Sequence, residues 1–312
     1  MLEIVERTTE ITDMEDKEDK VLIISHGDCD GVCSAAIALK YYKQADILFS
    51  QPFILKGVLR DEKVKKAKTL VILDLALDDH VVDKLTKMML YKHIIVIDHH
   101  PQTVKFTNLF DGLIDTSLSA SQLTSIYFQI PTVLAQIGAI GDKILMISKN
   151  DPLFKESELI RESLSYDVND NDFRIKLTHI LANDQLPSEV PEIIERAEKS
   201  RNEKELLTKL VLERIKYDNK FIYIDATDLP IEGKVSAIAG VIATRYEKPI
   251  FILFKTNTDV YVLTSRCNYV VKDINLDKIM QHFGGGGHKY AASARVKDKN
   301  IKILDELIKI FG

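Results

Sequence analysis

Four short segments in the first half of the chain carry residues suited to binding metal cations. HGDCDG (His26–Gly31) places His26, Asp28 and Asp30 at alternate positions. Alternation along extended backbone sends these three side chains in a common direction, with Gly27 and Cys29 pointing away. Taken alone, the triplet reads either as a metal site or as a polar strand end with an N-cap cluster. VILDLAL ends an apolar run at Asp74, and VIDHHP ends another at Asp98, His99 and His100. GAIGDK adds Asp142 beside a Gly-x-x-Gly bend. One acid at one strand end can be a helix N-cap. Three strand ends bearing Asp or His in one parallel sheet point into the same crevice. Asp28, Asp30, Asp74 and Asp142 cannot all stay ionised at close range without compensation. No matching Arg or Lys cluster lies beside them in the sequence. Two divalent cations would balance the four carboxylates, with His26 and His99 as neutral nitrogen ligands. Mixed nitrogen and oxygen ligation suits Mn²⁺ better than Mg²⁺, and is compatible with Co²⁺ or Zn²⁺.

A second group lies near the C-terminus. Gly284, Gly285, Gly286 and Gly287 precede His288 and Lys289. A four-glycine run reads as a flexible loop, or as a nest of backbone N–H groups for an anion. Arg266 sits at the end of an apolar run in TSRCN. It is either a surface residue or a guanidinium placed for a phosphate. Ser119 and Ser121 in DTSLSASQL either touch phosphate or cap a helix. Cys29 and Cys33 read as small buried hydrophobes, and His80, His93, His179 and His282 as structural. Lys65, Lys66 and Lys68 read as a solvated helix face.

These residues need a scaffold that brings strand ends together. VLIIS (21–25), DILFSQ (46–51), TLVILDL (69–75) and HIIVID (93–98) are short apolar runs separated by helical patterns. Such alternation predicts a parallel sheet covered on both faces. Residues 131–217 show few strand signals and much charge, which predicts helices ending in a connector. From 220 the pattern returns as FIYIDAT, a helix over 234–246, PIFILFK, VYVLTSR, a short helix, the glycine run, AASARV and a last helix. The fold class is therefore α/β with two domains. The expected boundaries are a catalytic domain at 1–195, a helical linker at 196–219 and a substrate-binding domain at 220–312.

Composition sets limits. The chain has 312 residues, 46% hydrophobic and 29% charged, enough for two folded domains. A formal charge of −5 excludes a global basic coat, so any nucleic acid must be met by a local groove or by bound cations. Three cysteines make no disulfide framework and no CxxC zinc pattern, which fits a reducing interior. The acidic N-terminal segment lacks an apolar core, so no secretory signal is expected, and no run is long enough to span a membrane. A cytoplasmic location without membrane contact is the expectation.

HGDCDG, VILDLAL, VIDHHP and GAIGDK resemble, in order, the four motifs of the DHH phosphoesterase superfamily. The likeness is to RecJ-like single-strand exonucleases and oligonucleases, of archaeal type. FGGGGHKYAASARV (283–296) is similar to the glycine-rich signature of the DHH-associated domain, with Ser293 where the family usually has Gly. The resemblance implies that His26, Asp28 and Asp74 hold one cation, and Asp30, Asp74, His99 and Asp142 a second, with Asp74 bridging. It implies that His100 faces the scissile phosphate and Asp98 orients the imidazoles. Arg266, the glycine run, His288 and Lys289 would bind substrate. The implied activity is Mn²⁺-dependent phosphodiester hydrolysis of single-stranded DNA or RNA by an activated hydroxide. Such an enzyme would serve DNA repair or replication. Alternatives are action on very short oligoribonucleotides, cyclic dinucleotides or 3′-phosphoadenosine 5′-phosphate, and a replisome scaffold docking GINS or a helicase.

Overall fold

The computed structural model describes residues 20–296 and 302–312. The acidic segment read for a secretory signal lies outside the described residues. The described residues divide into two compact units, 20–158 with 170–190, and 159–169 with 191–296 and 302–312.

In the first unit, β1 (Val21–His26), β2 (Asp46–Ser50), β3 (Thr69–Leu73), β4 (His93–Asp98) and β5 (Asp111–Ile114) form one sheet in the order β2-β1-β3-β4-β5. Every pairing is parallel. Period-two alternation splits the strands between two cores. Leu22, Ile24, Leu70, Ile72, Ile94 and Val96 face one way, and Ile23, Val71, Leu73, Ile95 and Ile97 the other. Both faces are buried, which is why each strand reads as an unbroken apolar run. β5 has no such signature. It is a four-residue edge strand, half-buried, and its sequence DGLI escapes a reading based on apolar runs.

Helices α1 (Cys29–Tyr42), α2 (Leu55–Val58), α3 (Glu62–Lys66), α4 (Asp79–Met88), α5 (Ala120–Tyr127) and α6 (Leu134–Gly141) follow the strands. α7 (Pro152–Tyr166) begins in the first unit and ends in the second, and α8 (Asn171–Ala182) belongs to the first. α1 packs its alanines and Ile37 wholly inside. The glycines of GAIGDK lie within α6 and allow close approach. A Cβ on Gly138 would stand 2.3 Å from Ser121 Oγ and 2.5 Å from Asp30 Oδ1, and one on Gly141 would stand 2.6 Å from Cys29 Sγ.

In the second unit, α9 (Pro191–Leu212) is followed by β6 (Ile215–Asp218), β7 (Ile222–Asp225), α10 (Val235–Tyr246), β8 (Ile250–Lys255) and β9 (Tyr261–Arg266). α11 (Leu276–His282), β10 (Gly286–His288), β11 (Ala291–Val296) and α12 (Ile303–Phe311) complete it. The sheet order is β10-β11-β9-β8-β7-β6. Residues 215–218, assigned on sequence grounds to a helical linker over 196–219, are thus an edge strand. Their short half-buried run IKYD pairs antiparallel with β7 across a register shift. Ile222, Ile224, Ile250 and Ile252 pack against α10, while Phe221, Phe251, Leu253, Leu263, Ala292 and Ala294 pack on the opposite face.

Two glycines separate steric need from tolerance. A Cβ on Gly31 would lie 2.2 Å from the backbone oxygen of His26, whereas one on Gly240 inside α10 meets nothing within 4 Å. Gly31→Ala is expected to destabilise by about 2–4 kcal/mol. Gly240→Ala is expected to stabilise by about 0.5–1 kcal/mol. Thermal and urea unfolding check both, and equal effects would contradict the packing described.

Candidate metal centre

β1, β3 and β4 lie side by side, so their carboxyl ends present His26, Asp74 and the Asp98–His100 run at one edge of the sheet. Asp74 follows β3 with a φ of +55°, a left-handed conformation sparsely used by non-glycine residues. Its N–H donates to Ile97 O at 3.0 Å, which ties the turn to the neighbouring strand. The side chain is 3% exposed.

His26 Nδ1 lies 2.9 Å from Asp28 Oδ2 and 3.7 Å from Asp74 Oδ2. His99 Nε2 lies 3.3 Å from Asp74 Oδ1 and 3.5 Å from Asp142 Oδ2. Asp74 therefore stands between the two imidazoles, one oxygen toward each. Ligand atoms of His26, Asp28 and Asp74 all fall within 4.8 Å of one another, and so do those of Asp74, His99 and His100. Spacing of this kind fits divalent cations, and the donor set of carboxylates and imidazoles suits Mn²⁺, Zn²⁺ or Co²⁺ as well as Mg²⁺.

Protonation shows the same demand for positive charge. Burial disfavours the His26 imidazolium, but the Asp28 charge and its hydrogen bond, with Asp74 behind, raise its pKa to about 11. His99 is likewise raised to about 9, against desolvation, chiefly by Asp74 and then by Asp142. Asp28 is held below the usual carboxylate range by His26 although desolvation opposes it. Burial, followed by the charge of Asp74, pushes Asp30 up to about 8. Asp142 rises to about 6, mainly through burial. In the metal-free chain, protons supply the positive charge that cations would otherwise provide.

Asp28 combines both roles considered for the HGDCDG triplet. Its Oδ1 accepts the Gly31 N–H at 3.0 Å and caps α1, while Oδ2 faces His26. Asp30 turns elsewhere. Its Oδ2 accepts the Ala120 N–H at 2.7 Å and its Oδ1 the Ser121 N–H at 3.2 Å, at the start of α5. Asp30 and Asp142 border the two ligand groups without joining a three-residue set among the described residues. His100 Nδ1–H donates to Asp98 Oδ1 at 2.7 Å, and Asp98 Oδ2 has no hydrogen-bond partner among the described residues. All of the side-chain hydrogen bonding of Asp98 is thus directed at one imidazole. Ser119 caps α5 through a capping box with Gln122, and Ser121 Oγ donates to Ala135 O at 3.0 Å, so both are committed inside the fold.

Two contributors escaped the sequence reading. Gln51 follows β2 directly, and its Oε1 accepts from His26 Nε2 at 2.9 Å. Since an amide oxygen only accepts, Nε2 carries the proton and Nδ1 is the atom turned to the carboxylates. Its place at a strand's carboxyl end was a usable signal. Arg174 on α8 had none. It donates through Nε to Gly27 O at 2.9 Å, and a Cβ on Gly27 would lie 2.6 Å from that nitrogen.

In the second unit the glycine run is ordered backbone. Gly284 N–H donates to Gln281 O, Gly285 N–H to Met280 O and Gly287 N–H to Asp277 Oδ1. A Cβ on Gly285 would lie 2.1 Å from Ser293 O, and Gly287 holds a φ of +153°. The run serves close strand approach, and three of its N–H groups are donated within the chain, which corrects the expectation of an open backbone nest. Strand register sets Arg266 opposite Ala291, and Ala291 opposite His288, so the two polar side chains share a sheet face with a methyl group between. Arg266 Nη2 donates to Ser236 Oγ at 3.2 Å. Ser293 Oγ pairs with Thr264 Oγ1 at 3.0 Å.

Comparison with known proteins now has a geometry to meet. The DHH family N-terminal domain matches residues 20–141 and the DHHA1 domain matches 218–312. The class is that of a DHH-family phosphoesterase, a group dependent on divalent metals. The chain belongs to the DHH phosphoesterase superfamily. An A-adding tRNA nucleotidyltransferase of Aquifex aeolicus (strain VF5) is 23% identical over 318 residues, covering 94% of this chain and 35% of its own length. This chain thus spans about a third of that relative. The pGpG-specific phosphodiesterase PggH of Vibrio cholerae shares the fold at a TM-score of 0.61 and 16% identity, covering 94% of this chain and 97% of that one. RecJ of Thermus thermophilus, solved with Mn²⁺, gives 0.66 and 14%, covering 94% and 52%. Among the described residues no helix is long and apolar enough to cross a membrane.

Two measurements follow. Both imidazoles hold their second proton at pH 7.5 in the metal-free chain, and cation loading must expel it. Affinity should therefore rise with pH, with release of about two protons, from His26 and His99, when calorimetry is run in buffers of different protonation enthalpy. The raised His26 pKa stabilises the metal-free fold fully below the unfolded value of 6.5, and that contribution disappears as pH climbs through about 11. Zero proton release would contradict the ligand role of both residues. Separately, Gln51→Leu should weaken cation binding about 10- to 100-fold by freeing the His26 ring, and unchanged affinity would refute that link.

Proposed function

We propose that this protein is a Mn²⁺-dependent phosphodiesterase of RecJ-like type that hydrolyses single-stranded DNA or RNA from an end. The observation that carries the reading is the shared position of Asp74, whose two oxygens serve two groups of ligand atoms each gathered within 4.8 Å. Cations bound there would supply Lewis acidity toward a phosphate oxygen and a nucleophilic water near neutral pH. His26, Asp28 and Asp74 would hold one, and Asp74, His99 and Asp142 the other, with Asp30 able to join through the lone pairs its two backbone N–H bonds leave free.

The chain's own groups do the rest. Asp98 accepts from His100 Nδ1, so His100 Nε2 is the nitrogen left to meet substrate. Desolvation opposes charge on His100, but the Asp98 hydrogen bond and charge raise its pKa. The imidazolium suits a non-bridging phosphate oxygen, which carries most of the developing charge. His100→Ala should lower kcat about 10²- to 10³-fold at saturating Mn²⁺ while leaving Mn²⁺ affinity within a few-fold. A collapse of Mn²⁺ affinity instead would make His100 a ligand, a role its distance to Asp74 and His99 also permits.

A second reading has one observation in its favour. The shared fold extends over 97% of the pGpG-specific phosphodiesterase, whose substrate is a dinucleotide, and over 52% of RecJ. The deciding experiment offers single strands of DNA and RNA, labelled at either end, with dinucleotides alongside, in Mn²⁺ and in EDTA. Degradation of long strands from one end supports the exonuclease, and much faster turnover of dinucleotides supports the second reading. Intact substrate throughout rejects both.

A further inference from the structure

The second unit carries an aromatic feature that metal chemistry does not use. Beyond β9, the turn 268–271 is set by Asn268, whose Oδ1 accepts the Val270 N–H at 3.3 Å and whose carbonyl accepts the Val271 N–H at 3.1 Å. Tyr269, between them, stands 78% exposed. One side of it is backed by Tyr290, with centroids 4.7 Å apart and planes at 67°. Tyr290 in turn packs against the core of the unit, and its carbonyl accepts the Cys267 N–H at 3.1 Å. The exposed ring is thus held in place by its turn and its neighbour before anything binds it.

Two cationic groups lie near this pair of rings. Lys289 Nζ lies 5.1 Å from the Tyr290 ring centroid. Arg266 is three residues before Tyr269, at most about 11 Å of chain, and close enough to interact with it electrostatically. A fixed, solvent-facing aromatic ring beside a guanidinium and an ammonium is chemically matched to a ligand with a flat π-face and an adjacent anion. A nucleotide has both.

We propose that Tyr269, backed by Tyr290, is a stacking platform for one nucleobase, set beside the Arg266 and Lys289 that the family resemblance already assigns to substrate. The inference rests on the nucleotide reading above and deepens it, since it requires that the substrate carry a base as well as a phosphodiester. Stacking is tolerant of base identity, so the platform selects for nucleotides over base-free phosphoesters and discriminates weakly among sequences.

The sequence contains no tryptophan, which makes the test direct. Tyr269→Trp installs a single indole at the platform. Its emission should be quenched by 5′-phosphorylated diadenylate in EDTA, and not by an abasic dinucleotide of the same charge. Tyr269→Ala should weaken diadenylate binding about 5- to 100-fold by calorimetry, reducing selectivity over the abasic analogue, and Tyr269→Phe should restore it. If the unaltered protein binds diadenylate while the indole emission stays unchanged and Tyr269→Ala binds equally well, the platform is refuted and the nucleotide reading survives. If the unaltered protein neither binds nor hydrolyses any nucleotide or strand, the nucleotide reading fails and takes the platform with it.

Discussion

Carboxylates crowded at the ends of parallel strands are the constraint from which the first unit follows. Asp74 is the corner of that crowd. It is buried, and it turns left-handed immediately after β3. Neither condition is favourable alone: the backbone conformation costs of order 1–3 kcal/mol, and a buried carboxylate needs a compensating charge. What holds the residue is the sheet, through its N–H bond to β4, and two imidazoles, one on each oxygen. The site is assembled by rigid strands and then left short of positive charge.

That shortage organises the surrounding residues. His26 is oriented by Gln51 at its far nitrogen, and His100 by Asp98, so each ring has one nitrogen fixed and the other presented. Asp28 divides its oxygens between capping α1 and facing His26. Arg174 fastens the carbonyl of Gly27, and the lack of a side chain there lets the guanidinium sit against the backbone. Capping, packing and ligand placement are carried by the same few residues.

The second unit solves a different problem. Its glycine-rich strand brings backbones into close approach, and most of the run's N–H groups are consumed in doing so. The side chains that register aligns are Arg266 and His288, on one face with Ala291 between them, with Lys289 at the hairpin turn. Ser293, where the family usually has Gly, lies in the next row and is occupied by Thr264.

The strand ends that carry the Asp and His cluster were legible in sequence because burial on both faces makes parallel strands continuous apolar runs, and the residue that follows each run stands out. The α/β class came from the same signal, and the two family domains from the resemblance of the motifs. β5 and β6 were not legible, since short half-buried edge strands have neither alternation nor an apolar run. Motif spacing named Asp28, Asp30 and Asp142 together, but only the packing of α5 and α6 decided that Asp30 turns to helix N–H groups while Asp142 faces His99. Gln51 and Arg174 belong to the site through contacts 25 and 147 residues away in the chain. Local chemistry is written in the order of residues, and a polar contact between distant segments exists only after the cores have closed and fixed which side chains meet.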